Sequence, residues 1–293
     1  MSAASPDTLR LSNSIAELRI PTTFGPRVMH YGFAGGPSVL AASVAHRETP
    51  HGTWRAYGGH RLWVAPERFP QTYTLDDAAP EIERRGERSV VVRRAVDPLT
   101  HLRVELGVTL AEASSEVLLE HVVRNEGDAP CEAAAWGITI VRPNGVAVIP
   151  NPRFAPQPDA LLPVRTLALW RYTDLADGRF AAGPSFVRLR CDPARTAPTK
   201  IGVACERGWF AYVVDGTALV VRSARDAEAR YPDFNSNVEI YTEGEFCEVE
   251  TLGPLVSLQP GQALRHLARW TLVRVSSDDD AALLDALSKH ALE

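Results

Sequence analysis

The run His101–Leu110, HLRVELGVTL, alternates apolar and polar side chains with period two. Leu102, Val104, Leu106, Val108 and Leu110 fall on one face, and His101, Arg103, Glu105 and Thr109 on the other. Successive strand residues point to opposite sides, so such a run is a half-buried antiparallel strand with one face on a core. The same pattern recurs in Ser89–Val96, Glu116–Arg124, Ala133–Val141, Ala218–Ser223 and His266–Val275. Phe210–Val214 followed by Asp215-Gly216 and more apolar residues predicts a hairpin, because Asp-Gly accepts the positive φ of a tight turn. Many strands with turns between them predict an all-β fold, a large antiparallel β-sandwich.

The rest of the chain punctuates that pattern. Pro143–Pro163 is the longest irregular stretch and is expected to be a loop that lids or walls a pocket. Strand patterns of one kind flank it on both sides, which predicts a single domain with its core over about residues 18–275. One helix is expected at about 277–291, capped by Ser276 or Ser277. Asp278, Asp279 and Asp280 would stand at its positive end, and Leu283, Leu284, Leu287 and Leu292 would form an apolar stripe.

Composition narrows the function classes. The 293 residues are 45% hydrophobic and 23% charged, with a formal net charge of −5, as for an ordinary globular protein. Arginines are scattered rather than concentrated on one stretch, which argues against nucleic acid and an anionic membrane surface as partners. No secretory leader or apolar span is apparent, and the expected location is cytoplasmic. Cys131, Cys191, Cys205 and Cys247 lack a C-x-x-C spacing and read as reduced thiols. The histidines share no ligand spacing, so no metal or other cofactor is expected. Neither a nucleophile elbow nor a phosphate loop occurs.

Three stretches carry groups suited to chemistry. YGGHRLWVAPERF (Tyr57–Phe69) follows Trp54 and Arg55 and concentrates His60, Arg61, Trp63 and Glu67 behind a double glycine. Flat apolar rings with directional polar groups suit the C–H faces and hydroxyls of a sugar. An equally good account is a core strand with a surface Arg–Glu pair. LWRYTDLADGRF (Leu169–Phe180) repeats the composition with Trp170, Asp174 and Arg179, or is a surface loop anchored by one tryptophan. Tyr231–Leu255 contains Tyr231, Asp233 and two glutamates, Glu248 and Glu250, on one strand face. Carboxylates roughly 7 Å apart along a strand can raise one another's pKa and exchange protons. A solvated strand face is the alternative.

GPRVMHYGF (Gly25–Phe33), GGHRLWVAPE (Gly58–Glu67), LW-x-YTDL (Leu169–Leu175) and E-x-ETLGPL…L-x-PG (Glu248–Gly261) together resemble an uncharacterised family related to the galactose mutarotases, or aldose 1-epimerases. The resemblance runs from about Leu18 to Val273. It implies a β-supersandwich with a carbohydrate-type cleft on one sheet. In mutarotases a glutamate takes the anomeric proton while a histidine protonates the ring oxygen. The resemblance implies Glu250 as that base and Arg61 as the holder of a substrate hydroxyl. The stretch matching the mutarotase acid strand, Ala135–Thr139, has Trp136 and Thr139 but no histidine, which leaves His60 as the candidate acid. Trp63, Glu67, Trp170, Asp174, Arg179, Tyr231, Asp233 and Glu248 complete the expected binding set. Two functions stay open: an epimerase-type isomerase, or a sugar-binding or sensing module without chemistry.

Overall fold

A computed structural model describes residues 7–276 and 279–290. Its strands form a ten-stranded and a seven-stranded antiparallel sheet, with a three-stranded sheet near the N-terminus and a two-stranded ribbon. The expected sandwich is therefore present. The alternating runs become strands Ser89–Arg93, Leu102–Leu110, Val117–Asn125, Cys131–Ile140, Thr217–Arg222 and Ala263–Arg274. Asp215 and Gly216, at φ 47° and 68°, turn the predicted hairpin between Trp209–Val214 and Thr217–Arg222.

The core lies between the two large sheets. Leu106, Leu119, Tyr212, Leu219 and Trp270 from the ten-stranded sheet pack with Ile201, Ile240, Cys247 and Val249 from the seven-stranded one. Period two then dictates what the seven-stranded sheet turns outward: Lys200, Glu239, Tyr241, Phe246, Glu248 and Glu250. Burial of alternate apolar residues thus fixes the register that lines up these polar groups.

Several expectations are corrected. The Pro143–Pro163 stretch is not all loop, because Val146–Pro150 forms a strand inside the ten-stranded sheet, between Phe186–Arg190 and Trp209–Val214. The C-terminal helix runs Asp280–Lys289, and Asp279 rather than a serine caps it, accepting from the Ala281 and Ala282 N–H groups. Leu283 and Leu287 are buried against the ten-stranded sheet beside Val148 and Trp209. Ser277, Asp278 and Leu292 lie outside the described residues. Cys191 and Cys247 are buried free thiols, and the Cys191 thiol donates to the Gly244 carbonyl at 3.7 Å.

Candidate functional site

The strand His60–Ala65 pairs with Cys131–Ile140, Cys131–Ile140 with Phe246–Leu252, Phe246–Leu252 with Val238–Glu243, and Val238–Glu243 with Thr199–Val203. Register places Trp63 opposite Trp136, Arg61 opposite Ile138, Ile138 opposite Glu250, and Glu250 opposite Glu239. Those side chains share the outer face of the sheet and line or underlie a cleft of about 880 Å³. Trp54, Trp63, Trp136 and Trp170 are among its walls, with Tyr73, Tyr172, Tyr241 and Phe246.

The double glycine is required by geometry. Gly58 and Gly59 have φ of 101° and 65°, and a Cβ on Gly59 would stand 2.2 Å from the Val28 carbonyl oxygen. Arg27 holds this turn from beneath. Its Nη1 donates to the Ala56 and Gly58 carbonyls at 2.7 and 2.9 Å, and its Nε to Asp76 at 2.9 Å. Burial lowers the Arg27 pKa to about 10, against the attraction of Asp76.

The polar floor has two parts. Arg61 donates from Nη2 to Glu248 Oε1 at 3.0 Å and lies 4.4 Å from the centre of the Trp63 ring. Its Nε and Nη1 are buried with no hydrogen-bond partner among the described residues. Burial pushes the Glu248 carboxyl up to about 7; Arg61 opposes this and Glu250 reinforces it. Beside them Lys200 Nζ stands 2.7 Å from Glu239 Oε2 and 3.0 Å from Glu250 Oε2. The same ammonium lies 4.9 and 4.7 Å from the Trp136 and Trp170 ring centres. Trp136 Nε1 donates to Glu250 Oε2 at 2.6 Å. Burial raises Glu239 well above the usual carboxyl range, while the two glutamates raise Lys200 against the effect of its own burial.

Arg61, Trp63, Glu67, Trp170 and Glu248 of the expected set line this cleft. Glu250 does not line it: fully buried, it is sealed beneath Lys200 and Trp136. His60 is corrected for a simple reason. It precedes Arg61 on one strand, so it points to the opposite face, into the space between the sheets. There its Nδ1 is 2.9 Å from Thr139 Oγ1, its Nε2 is 2.8 Å from His121 Nε2, and Trp270 packs edge-on against it. His121 stacks on His266, whose Nε2 lies 3.2 Å from Thr251 Oγ1. Burial holds His60 down at about 3, His266 at about 4 and His121 well below its ordinary value, so all three are neutral near pH 7. Among the described residues, no group of three or more His, Cys, Asp or Glu is disposed to hold a metal ion.

The remaining expected residues do not line this cleft. Asp174 caps its own turn at the Ala176 N–H, and Arg179 clamps Asp177 and the Arg195 and Ala197 carbonyls. The buried Tyr231 hydroxyl accepts from the Asp226 N–H. Asp233 begins a left-handed turn in which Asp233, Phe234 and Asn235 have φ of 48°, 57° and 73°. No residue of Pro143–Pro163 lines the large cleft, whereas Pro163 borders a smaller cavity of about 360 Å³.

Lys200, Glu239 and Tyr241 were not anticipated. Lys200 had one available signal: it is one of only two lysines in a chain that otherwise uses arginine. Glu239 and Tyr241 sit in an alternating run, VEIYTE, that reads as an ordinary exposed strand face.

No protein-family model and no curated protein matches the chain. Solved structures do. A galactose mutarotase related enzyme from Lactobacillus acidophilus matches with a TM-score of 0.56 at 9% identity, over 92% of this chain and 100% of its own. An aldose epimerase homologue from C. elegans gives 0.52 at 9% identity, over 92% and 99%. A TPR-domain containing protein from Parabacteroides distasonis gives 0.63 at 14% identity, over 92% of this chain but 48% of its own. At such identities the likeness is one of fold. The chain has the galactose mutarotase-like β-sandwich fold. Among the described residues no helix is long and apolar enough to cross a membrane.

Proposed function

We propose that the cleft binds a carbohydrate ring and that Glu248 exchanges a proton with one of its hydroxyls, as in anomer interconversion. The observation that carries this reading is the convergence of four tryptophans and the Arg61–Glu248 pair on one cleft of about 880 Å³. Indole faces suit the apolar side of a sugar ring, and the Glu248 carboxyl in the cleft wall suits a sugar hydroxyl. Glu248 replaces Glu250 as the proton-transfer group. It lines the cleft and its pKa of about 7 matches a base that works near neutral pH. Glu250 is held instead by Lys200 and Trp136.

A second reading, a sugar-binding module without turnover, is favoured by His60. That side chain faces the interior and cannot act as an acid across the ring from Glu248. Polarimetry on α-glucose and α-galactose, with calorimetric titration of the same sugars, separates the two. The first reading expects mutarotation above the buffer rate that Glu248→Gln abolishes, and binding that Trp63→Ala weakens. Binding without any rate supports the second reading. Absence of both binding and rate across a panel of aldoses would remove the carbohydrate reading altogether.

A further inference from the structure

A second cavity, of about 240 Å³, opens at the edge of the seven-stranded sheet, beside the strand His60–Ala65. That strand pairs with Cys131–Ile140 on one side, and across the stretch 61–65 no strand among the described residues pairs with the other. Leu62 and Val64 from it, and Leu102 and Val104 from the facing sheet, give the cavity an apolar wall. Arg94 and Arg68 supply its positive charge.

Arg94 lacks what its neighbour has. Arg93, at the end of the strand Ser89–Arg93, makes ion pairs with Glu81, Glu83 and Glu105. Alternation turns Arg94 to the opposite side. There its side chain has no ion pair or hydrogen bond among the described residues, and its Nε is buried without a partner. Burial lowers its pKa, and Asp97 and Asp76 attract it only from beyond ion-pair distance. The Asp97 carboxylate already accepts from the Leu99 and Thr100 N–H groups and the Thr100 hydroxyl. Glu132, the acidic residue of the lining, is paired with Arg230 at 2.7 Å. A half-buried guanidinium whose Nε lacks a partner is costly, and an anion that enters the cavity offsets that cost.

We propose that this cavity is a binding site for a small amphiphilic carboxylate. Its apolar body lies on Leu62, Val64, Leu102 and Val104. Its carboxylate pairs with the Arg94 guanidinium, and Arg68 adds charge at the mouth. The apolar wall decides the class of anion. Inorganic phosphate would gain nothing from that wall, whereas an aromatic or short aliphatic body buries area there. The planar fork of Arg94 matches a carboxylate through two parallel hydrogen bonds.

Ligand-observed NMR on the full chain tests this, with benzoate as the probe, benzyl alcohol as its uncharged counterpart and inorganic phosphate as the plain anion. Saturable benzoate binding is expected, with benzyl alcohol and phosphate each roughly tenfold weaker or more. Arg94→Met should weaken benzoate roughly tenfold, and the exposed Arg68→Gln severalfold. If Arg94→Met fails to fold by circular dichroism, Arg94→Lys takes its place and must still weaken benzoate severalfold. Equal binding of benzyl alcohol, equal binding of phosphate, no benzoate binding, or full affinity in the Arg94 variant would each overturn the proposal. The sugar reading of the larger cleft is tested separately and survives any of these results.

Discussion

Replacing Lys200 with methionine tests how the floor of the cleft is held together. Methionine keeps an unbranched apolar side chain between Trp136 and Trp170 but removes the ammonium from between Glu239 and Glu250. The Lys200 side chain is 7% exposed and both carboxylates are fully buried, so solvent screens little of the interaction. Removing one partner of a buried ion pair costs about 3–5 kcal/mol, a large share of the roughly 5–15 kcal/mol that holds a protein folded. The cost should depend on pH, and its sign follows from Glu239. Burial and then Glu250 raise that carboxyl well above its ordinary value, while Lys200 pulls it down. A carboxyl raised on folding contributes stability at pH below its unfolded value and loses it as pH rises through the folded value. Without Lys200 the folded value climbs further, and the variant falls behind the wild type more at pH 8 than at pH 5. Urea titrations should show a deficit of about 3–5 kcal/mol at pH 8, shrinking to roughly half at pH 5, where a carboxyl takes up a proton. Melting temperature at pH 8 should drop by roughly 5–8 °C. Adding Glu239→Gln should recover part of the loss. An equal deficit at both pH values, or none, would refute the electrostatic account of the floor.

Other perturbations have equally definite outcomes. Glu248, at about 7, loses its stabilising contribution as pH rises from about 4.5 through 7. His60 and His266, at about 3 and 4, lose theirs as pH falls below about 6.5 through those values, and His121 acts in the same direction. Three histidines outweigh the two raised glutamates, Glu239 and Glu248, on the acid side, so melting temperature should peak near pH 6.5; a steady rise to pH 9 would contradict this. Glu248→Gln should flatten the alkaline side of that profile. Gly59→Ala, at φ 65° against the Val28 carbonyl, should cost more than the roughly 1–3 kcal/mol of left-handed strain alone. Gly261→Ala, at φ 79° in open space, should cost only the strain, and chemical denaturation of the two variants gives the comparison. Arg27→Met should destabilise by about 3–5 kcal/mol, because Asp76 and two carbonyls lose their donor. A wild-type melting curve for that variant would deny Arg27 its role under the double glycine.

The strands were legible because burial writes itself into period-two alternation. His101–Leu110 and Ala263–Arg274 show one face on the core in the bare sequence. The strand Val146–Pro150 was not legible, since prolines on both sides concealed a short run buried within its sheet. The site was legible in part. Arg61 and Trp63 stand out by composition, and Glu248 and Glu250 by their spacing. His60 and Arg61 are neighbours along the chain, but on a strand they face opposite sides.

Alternation, turn residues and the double glycine by themselves determined a β-sandwich and the positions of most of its strands, because those features act over a few residues. Which polar groups meet was decided only in three dimensions. Lys200, Glu239 and Glu250 come from three strands and meet through cross-strand register, which depends on which apolar faces the two sheets bury against each other. The same register seals Glu250, opens Glu248 to the cleft and sends His60 to the interior. One residue of shift in a strand would exchange those roles, because side chains on a strand change face at every step.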